Sequence, residues 1–305
     1  MTERRDIGTR RDKILNILKQ VNVGNHYFRV VFLLRQAILL SSMLLNFDAS
    51  LKLTKKNMRI LEKVDESLLR RVFSTLKSAC LPSLYLEMGS IPVRILIKGK
   101  RILFLHYLLN QDKNTLLSKM LHDQIDDPVE NDWVSVTIEN LKELGLDHYT
   151  FSDIKEMKKS RMKYLVKEAC QDAALKYLTK EIEERNLKKM KNLKYSKLEI
   201  QEYLTCTEMT TTEKKLIFRA RTGLLNLGFN MGQKIPCFAC GLENDENQHV
   251  LNCVILKLSC PELMSNRNIS FEDVYSTDLR KVKEVAKLLK VSMRAREILK
   301  SSLST

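Results

Sequence analysis

Four side chains able to hold a metal ion fall close together: Cys237, Cys240, His249 and Cys253, spaced C-x2-C-x8-H-x3-C. Two cysteines separated by two residues let one tight turn aim both sulfurs at a single ion, and Gly241 supplies the positive φ such a turn needs. His249 and Cys253 lie four apart, so a helix places them on one face. Three thiolates and an imidazole complete a tetrahedral shell with no open position, which predicts a structural Zn2+ rather than one that activates water. Cys260 is a spare thiol, more distant from His249 in sequence than Cys253 is. Seven cysteines, four of them between 237 and 260, suit a reduced, intracellular compartment (nucleus or cytoplasm) with a metal site rather than paired disulfides.

Other signatures of chemistry are missing. The sequence holds no phosphate-binding glycine loop, no G-x-S-x-G and no H-E-x-x-H. His26, His106, His122 and His148 are isolated and read as structural or exposed. Asp126-Asp127 lies in a turn before Pro128 and reads as solvated. No catalytic residue is expected.

The formal charge of +15 favours a polyanionic partner such as RNA or DNA. Three clusters are candidates for nucleic-acid contact. Lys98, Lys100 and Arg101 precede an apolar run and can line one edge of a helix. Lys188, Lys189, Lys191 and Lys194 form an acid-free tract with Tyr195, an aromatic able to stack on an unpaired base. Arg219 and Arg221 stand just before Gly223; two apart, they cannot share a helix face, so one points inward to a carboxylate or to helix carbonyls. Phe238, inside the knuckle, is a further candidate for a base.

The elements that must carry these groups read as helices. Nine glycines and five prolines are few for an all-β chain, and Leu, Ile, Lys, Glu and Met lose little entropy in a helix. The expected fold is mainly α: an elongated multi-helix bundle with a small CCHC knuckle and a C-terminal helix. Four segments are expected: a thumb-like helical bundle over 1–125, a basic helical linker over 126–233, the knuckle over 234–258 and a helical tail over 259–305. Tyr27 to Leu45 is apolar almost all round and reads as the central helix of the bundle. Arg35-Gln36 interrupts that run, which argues for a buried helix rather than a membrane span. Thr54 caps a helix with apolar residues at Met58, Leu61, Val64, Leu68 and Val72. Gly89 and Pro92 make a sharp corner, Trp133 opens a helix ending at Gly145, and 153–204 reads as one long charged helix. Thr210 and Glu213 form a capping box. Ser270 and Thr277 offer caps for a last helix with Leu279, Val282, Val285, Leu289 and Met293 on its apolar face. Any strands are short and sit at the zinc loop or near Ile91 to Leu96.

Taken in order, several of these stretches resemble one family. They are Leu84-Tyr85-Leu86-Glu87-Met88-Gly89 with Ile91-Pro92-Val93-Arg94, Arg101 to His106, Asp132-Trp133, and Leu141 to Leu146. Phe218-Arg219-Ala220-Arg221-Thr222-Gly223, the Cys237 to Cys253 knuckle and Phe271 to Tyr275 complete the series. The order is similar to the region C-terminal to the polymerase core in non-LTR (LINE-like) retrotransposon reverse transcriptases. The resemblance implies a helical thumb and linker, then a knuckle, holding template RNA or target DNA. It also implies a fragment without the polymerase palm, whose aromatic-x-Asp-Asp signature is missing here, and without an endonuclease. A separate polymerase chain is then an expected partner. Two alternatives stay open: a protein-interaction module whose basic surface is incidental, and a decayed retroelement remnant with no selected activity.

Overall fold

The computed structural model describes residues 12, 16, 26–45, 49, 54–75, 79–184, 193, 195–227, 236–241, 245–261 and 269–302. Helix α1 (Tyr27–Leu34) runs through a π-helical stretch, Arg35–Leu40, into Ser41–Met43. There follow α2 (Lys55–Phe73), α3 (Leu81–Glu87), α4 (Val93–Leu109), α5 (Leu116–Asp126), α6 (Trp133–Glu143), α7 (Phe151–Glu156) and α8 (Lys159–Glu184). After α9 (Glu202–Thr205) and α10 (Thr211–Arg221) come two short pieces, α11 (His249–Asn252) and α12 (Val254–Ser259). A 3-10 turn, Phe271–Tyr275, leads to α13 (Leu279–Ser302). The fold is mainly α, and strand-like pairing among the described residues is limited to isolated bridges, an antiparallel one between Met88 and Ile200 and one at Pro236.

Local chemistry sets many of the helix ends. Thr54 accepts from the Asn57 N–H at 3.2 Å, and Thr210 and Glu213 exchange a capping box. The chain turns at Gly89, whose φ is +58°, and Pro92 is the N-cap of α4. A Cβ on Gly89 would collide with the backbone of Glu199 and Ile200, so only glycine fits where this corner meets the bridge.

The central place belongs to α4, which packs against α2, α5, α6, α7 and α8. Gly99 permits the closest approach: a Cβ there would stand 2.5 Å from Cys170 Sγ and 3.1 Å from Val166 Cγ1 of α8. Tyr27 to Leu45 is therefore not the central helix. It buries Phe28, Val31, Leu39, Leu40, Met43 and Leu44 along one side and leaves Leu33 and Leu45 exposed. Its interrupting Arg35 is fully buried, bonded to Asp65 through Nε and Nη2 at 2.6 Å each.

Three expectations are corrected. Ile91 and Pro92 lead into α4 and Val93 to Leu96 form its first turn, since Pro92 supplies the preset φ of a helix entry. The long charged stretch is broken at the extended Met157, between α7 and α8, and residues 195–201 run to the bridge with Met88 rather than as helix. The last helix is entered through Asp278 rather than Thr277, the Asp278 carboxylate accepting from Arg280 N–H at 2.9 Å.

Nearly all the buried apolar side chains, from Phe28 to Leu289, belong to one cluster. Its packing crosses position 125, because α4 packs on both α6 and α8. No described helix is long and apolar enough to cross a membrane.

Candidate metal centre

The four ligand-type residues converge. Their donor atoms all lie within 4.8 Å of one another, with Cys237, His249 and Cys253 buried and Cys240 half-buried. Cys237 Sγ and Cys253 Sγ are 3.9 Å apart, and Cys240 Sγ is 3.4 Å from His249 Nε2. A tetrahedral ion with metal–sulfur bonds of about 2.3 Å and metal–nitrogen bonds of about 2.0 Å sets S···S near ~3.8 Å and S···N near ~3.5 Å. The shell therefore fits one tetrahedral ion of soft-ligand preference.

The chain builds this shell from two short turns. Gly241 takes φ +69°, and its N–H donates to the Cys237 carbonyl at 2.7 Å, closing the first turn. His249 opens α11, while Cys253 lies one residue past its end with ψ near 121°. The two are thus not on one continuous helix face; the bend between α11 and α12 brings the Cys253 sulfur round, and its N–H still donates to the His249 carbonyl at 2.8 Å. Without a cation, burial pushes the Cys253 thiol up to about 11, with the neighbouring cysteines acting in the same direction. A bound cation reverses this by displacing the thiol protons.

Behind the shell stands a pair that sequence reasoning missed. Arg296 of α13 donates from Nη2 to both Asp245 carboxylate oxygens, at 2.7 and 2.8 Å, and from Nη1 to Cys237 Sγ at 3.9 Å. Its guanidinium lies 4.6 Å from the centre of the Phe238 ring. One turn earlier, Ser292 Oγ donates to the Val250 carbonyl at 2.6 Å. The signal was present: Arg296 extends the apolar stripe Leu279, Val282, Val285, Leu289, Met293 by one more step, so a charge was due to face inward.

Most of the cationic candidates are engaged within the protein. Lys98 pairs with Glu143, and burial, with Arg94 beside it, lowers its pKa. Lys100 Nζ donates to the Leu44 carbonyl at 3.2 Å. Arg101 is buried, which lowers its pKa, so it does not line an exposed edge. Arg219 donates to the Ser74 carbonyl at 2.7 Å. Arg221 is the inward-facing member of its pair: Nε donates to Glu87 at 2.9 Å and Nη1 to the Val274 carbonyl at 3.0 Å. Burial opposes its charge, but Glu87 and the tyrosines Tyr203 and Tyr195 outweigh that and raise its pKa. Tyr195 donates to the same Glu87 oxygen at 2.6 Å, and burial pushes its phenol well above the ordinary range. It is a partner of Glu87, not an open stacking platform. Phe238 keeps 36 % exposure under its Arg296 neighbour. Lys188, Lys189, Lys191 and Lys194 lie outside the described residues.

A cationic surface not singled out from the sequence lies elsewhere. Lys155, Lys158, Lys159, Arg161, Lys163 and Lys167 are all exposed, and none has an ion pair among the described residues. Of the nearby acids, Asp153 is held in the Thr150 capping box and Glu156 accepts from Ser152. Two exposed aromatics flank the run, Tyr164 at 64 % and Tyr107 at 49 %. Lys159 and Lys163 line a pocket of about 330 Å³ with Tyr107, His106, Asn110 and Met157. His106 Nε2 is fixed there, 2.8 Å from the Met157 carbonyl. The surface escaped notice because its cations are interleaved with apolar core positions of α8, such as Met162 and Val166, rather than forming an unbroken block.

Comparison of the chain with family models, curated proteins and solved structures found no match.

Proposed function

We propose that this chain binds a nucleic-acid strand along the cationic surface at 155–167, and that its knuckle is closed by structural zinc. The observation that carries the reading is the set of six exposed cations, with no ion pair among the described residues, flanked by Tyr164 and Tyr107. Cations without internal partners are available to phosphates, whose binding releases condensed counterions. Aromatic rings among them offer stacking to unpaired bases, worth about 1–3 kcal/mol each. Zinc is favoured as the ion because three thiolates with one imidazole form a closed Cys3His shell of the structural kind. On the retroelement resemblance, the strand is template RNA or target DNA and a separate polymerase chain supplies catalysis.

The test is a salt titration of single-stranded RNA and DNA binding by the full chain and by a triple variant, Lys159→Glu, Lys163→Glu and Lys167→Glu. Wild-type affinity falls steeply with salt. In the variant the log–log slope shrinks by about 2, at about 0.7 for each phosphate of a single strand that is no longer neutralised. Equal slopes and equal affinities would remove the phosphate reading.

A second reading, docking of a protein partner, is favoured by one observation. Val254 and Leu258 of α12, next to the metal centre, are 58 % and 66 % exposed. Substituting both by serine while retaining RNA binding, with loss of a partner, supports that reading.

A further inference from the structure

We propose that Arg296 is a positioning residue for the metal centre and makes docking of α13 depend on metal loading. This rests on the reading of Cys237, Cys240, His249 and Cys253 as one metal site. A divalent ion held by three thiolates and a neutral imidazole carries one net negative charge, and the Asp245 carboxylate adds another next to it. Arg296 is the guanidinium between them, 4 % exposed, gripping Asp245 with one nitrogen and meeting Cys237 Sγ with the other.

The geometry gives each contact a distinct part. Asp245 stands four residues before His249, so the grip on it fixes how residues 245–248 lead into the second pair of ligands. Nη1 at Cys237 Sγ places positive charge and an N–H donor on a thiolate, where charge-assisted bonds are strongest. The Phe238 ring beneath the guanidinium holds its plane. Ser292, on the same side of α13, binds the Val250 carbonyl of α11. Two anchors one turn apart thus tie the helix to both halves of the ligand shell. When the ion leaves, the two pairs of ligands lose the bond that holds them together, and Cys237 and Asp245 are no longer fixed in place against Arg296. Both ends of the Arg296 contact then loosen, which favours release of the end of α13.

The experiment uses the full chain with zinc and with cobalt. Metal affinity is measured by competition with a chromophoric chelator, and the cobalt form reports the sulfur-to-metal charge-transfer band. Hydrogen exchange over 285–300 is followed with and without zinc. In the wild type, zinc loading is expected to slow exchange there. Arg296→Gln lowers metal affinity about 10–100-fold, the range for residues that support metal ligands, shifts the charge-transfer band and uncouples exchange in α13 from zinc. Arg296→Lys, which keeps the charge but not the fork, restores part of the affinity and the band. Asp245→Asn, which leaves helix and guanidinium intact, also lowers affinity and carries the test if Arg296→Gln does not fold. Wild-type affinity in Asp245→Asn or in Arg296→Gln, or exchange over 285–300 that ignores zinc in the wild type, overturns the proposal. A wild-type chain that binds neither cobalt nor zinc overturns the metal reading itself, and this outcome is separate from the others.

Discussion

Two buried guanidinium–carboxylate pairs hold different parts of this molecule, and their surroundings differ. Arg35 and Asp65 are both fully buried, bridged at 2.6 Å, with the Tyr85 hydroxyl donating to Asp65 at 2.9 Å and Arg35 also reaching the Ile91 carbonyl at 3.2 Å. Burial opposes the Arg35 charge, but Asp65 outweighs it and raises the pKa. Asp65 belongs to the 19-residue α2 and Arg35 to the continuous helical run 27–43, and the pair is enclosed by helices with apolar faces of their own. Arg296 and Asp245 form a similar bridge, 2.7 Å, but the neighbouring pieces α11 and α12 are four and six residues long. Helices that short do not persist by themselves in water. The same ionic contact is thus a polar insertion in a core that exists without it in one region, and the support of the loop that carries the Cys3His cluster in the other.

The contrast is tested most severely by Asp65→Ala, which leaves Arg35 buried without its carboxylate. Stability should fall by about 3–5 kcal/mol, read from urea denaturation, and by the same amount with zinc or with chelator present. A zinc-dependent loss would mean that the two regions are not energetically distinct. Next in scale, Cys240→Ser should raise amide exchange through 236–260 while α2, α4 and α8 stay protected; collapse of helical signal across the whole chain would erase the distinction from the other side. The smallest effect is expected at the α4–α8 contact. Gly99→Ala forces a methyl against Cys170 Sγ, at a cost of about 1–3 kcal/mol for overpacking, offset by about 1 kcal/mol of helix propensity. Adding Cys170→Ala should recover most of that loss, and no recovery would place the strain elsewhere.

Much of this architecture was legible because its signals are local. Thr54, Thr210 with Glu213, the Gly89–Pro92 corner and the Trp133 helix each rest on a cap or a turn within a few residues, and each is where the sequence puts it. The metal ligands were legible for the same reason, since their spacing alone brings them together. Pairings across long separations were not. Arg35 was readable as an interruption in an apolar run, but nothing local identifies Asp65, thirty residues on, as its partner. Glu87 gathers Tyr195 and Arg221 from 108 and 134 residues away, which is why residues offered to a nucleic acid are instead partners of one buried carboxylate. Gly99 was visible only as an oddity between two lysines; its reason is the sulfur of α8. In each case the useful sign was a charge or a glycine where the helical pattern called for an apolar side chain.

The π-helical stretch at Arg35–Leu40 has a consequence for how this chain can vary in length. A π turn holds one residue more than an α turn of the same direction, so this stretch behaves as an absorbed insertion. Phe28 and Val31 before it, and Met43 and Leu44 after it, all remain buried. Loss of a single residue such as exposed Gln36 or Ala37 would let the segment relax to ordinary α geometry with both flanks still facing inward. The helix at the edge of the body therefore has slack of one residue, which the close contact at Gly99 denies to the helix at its centre.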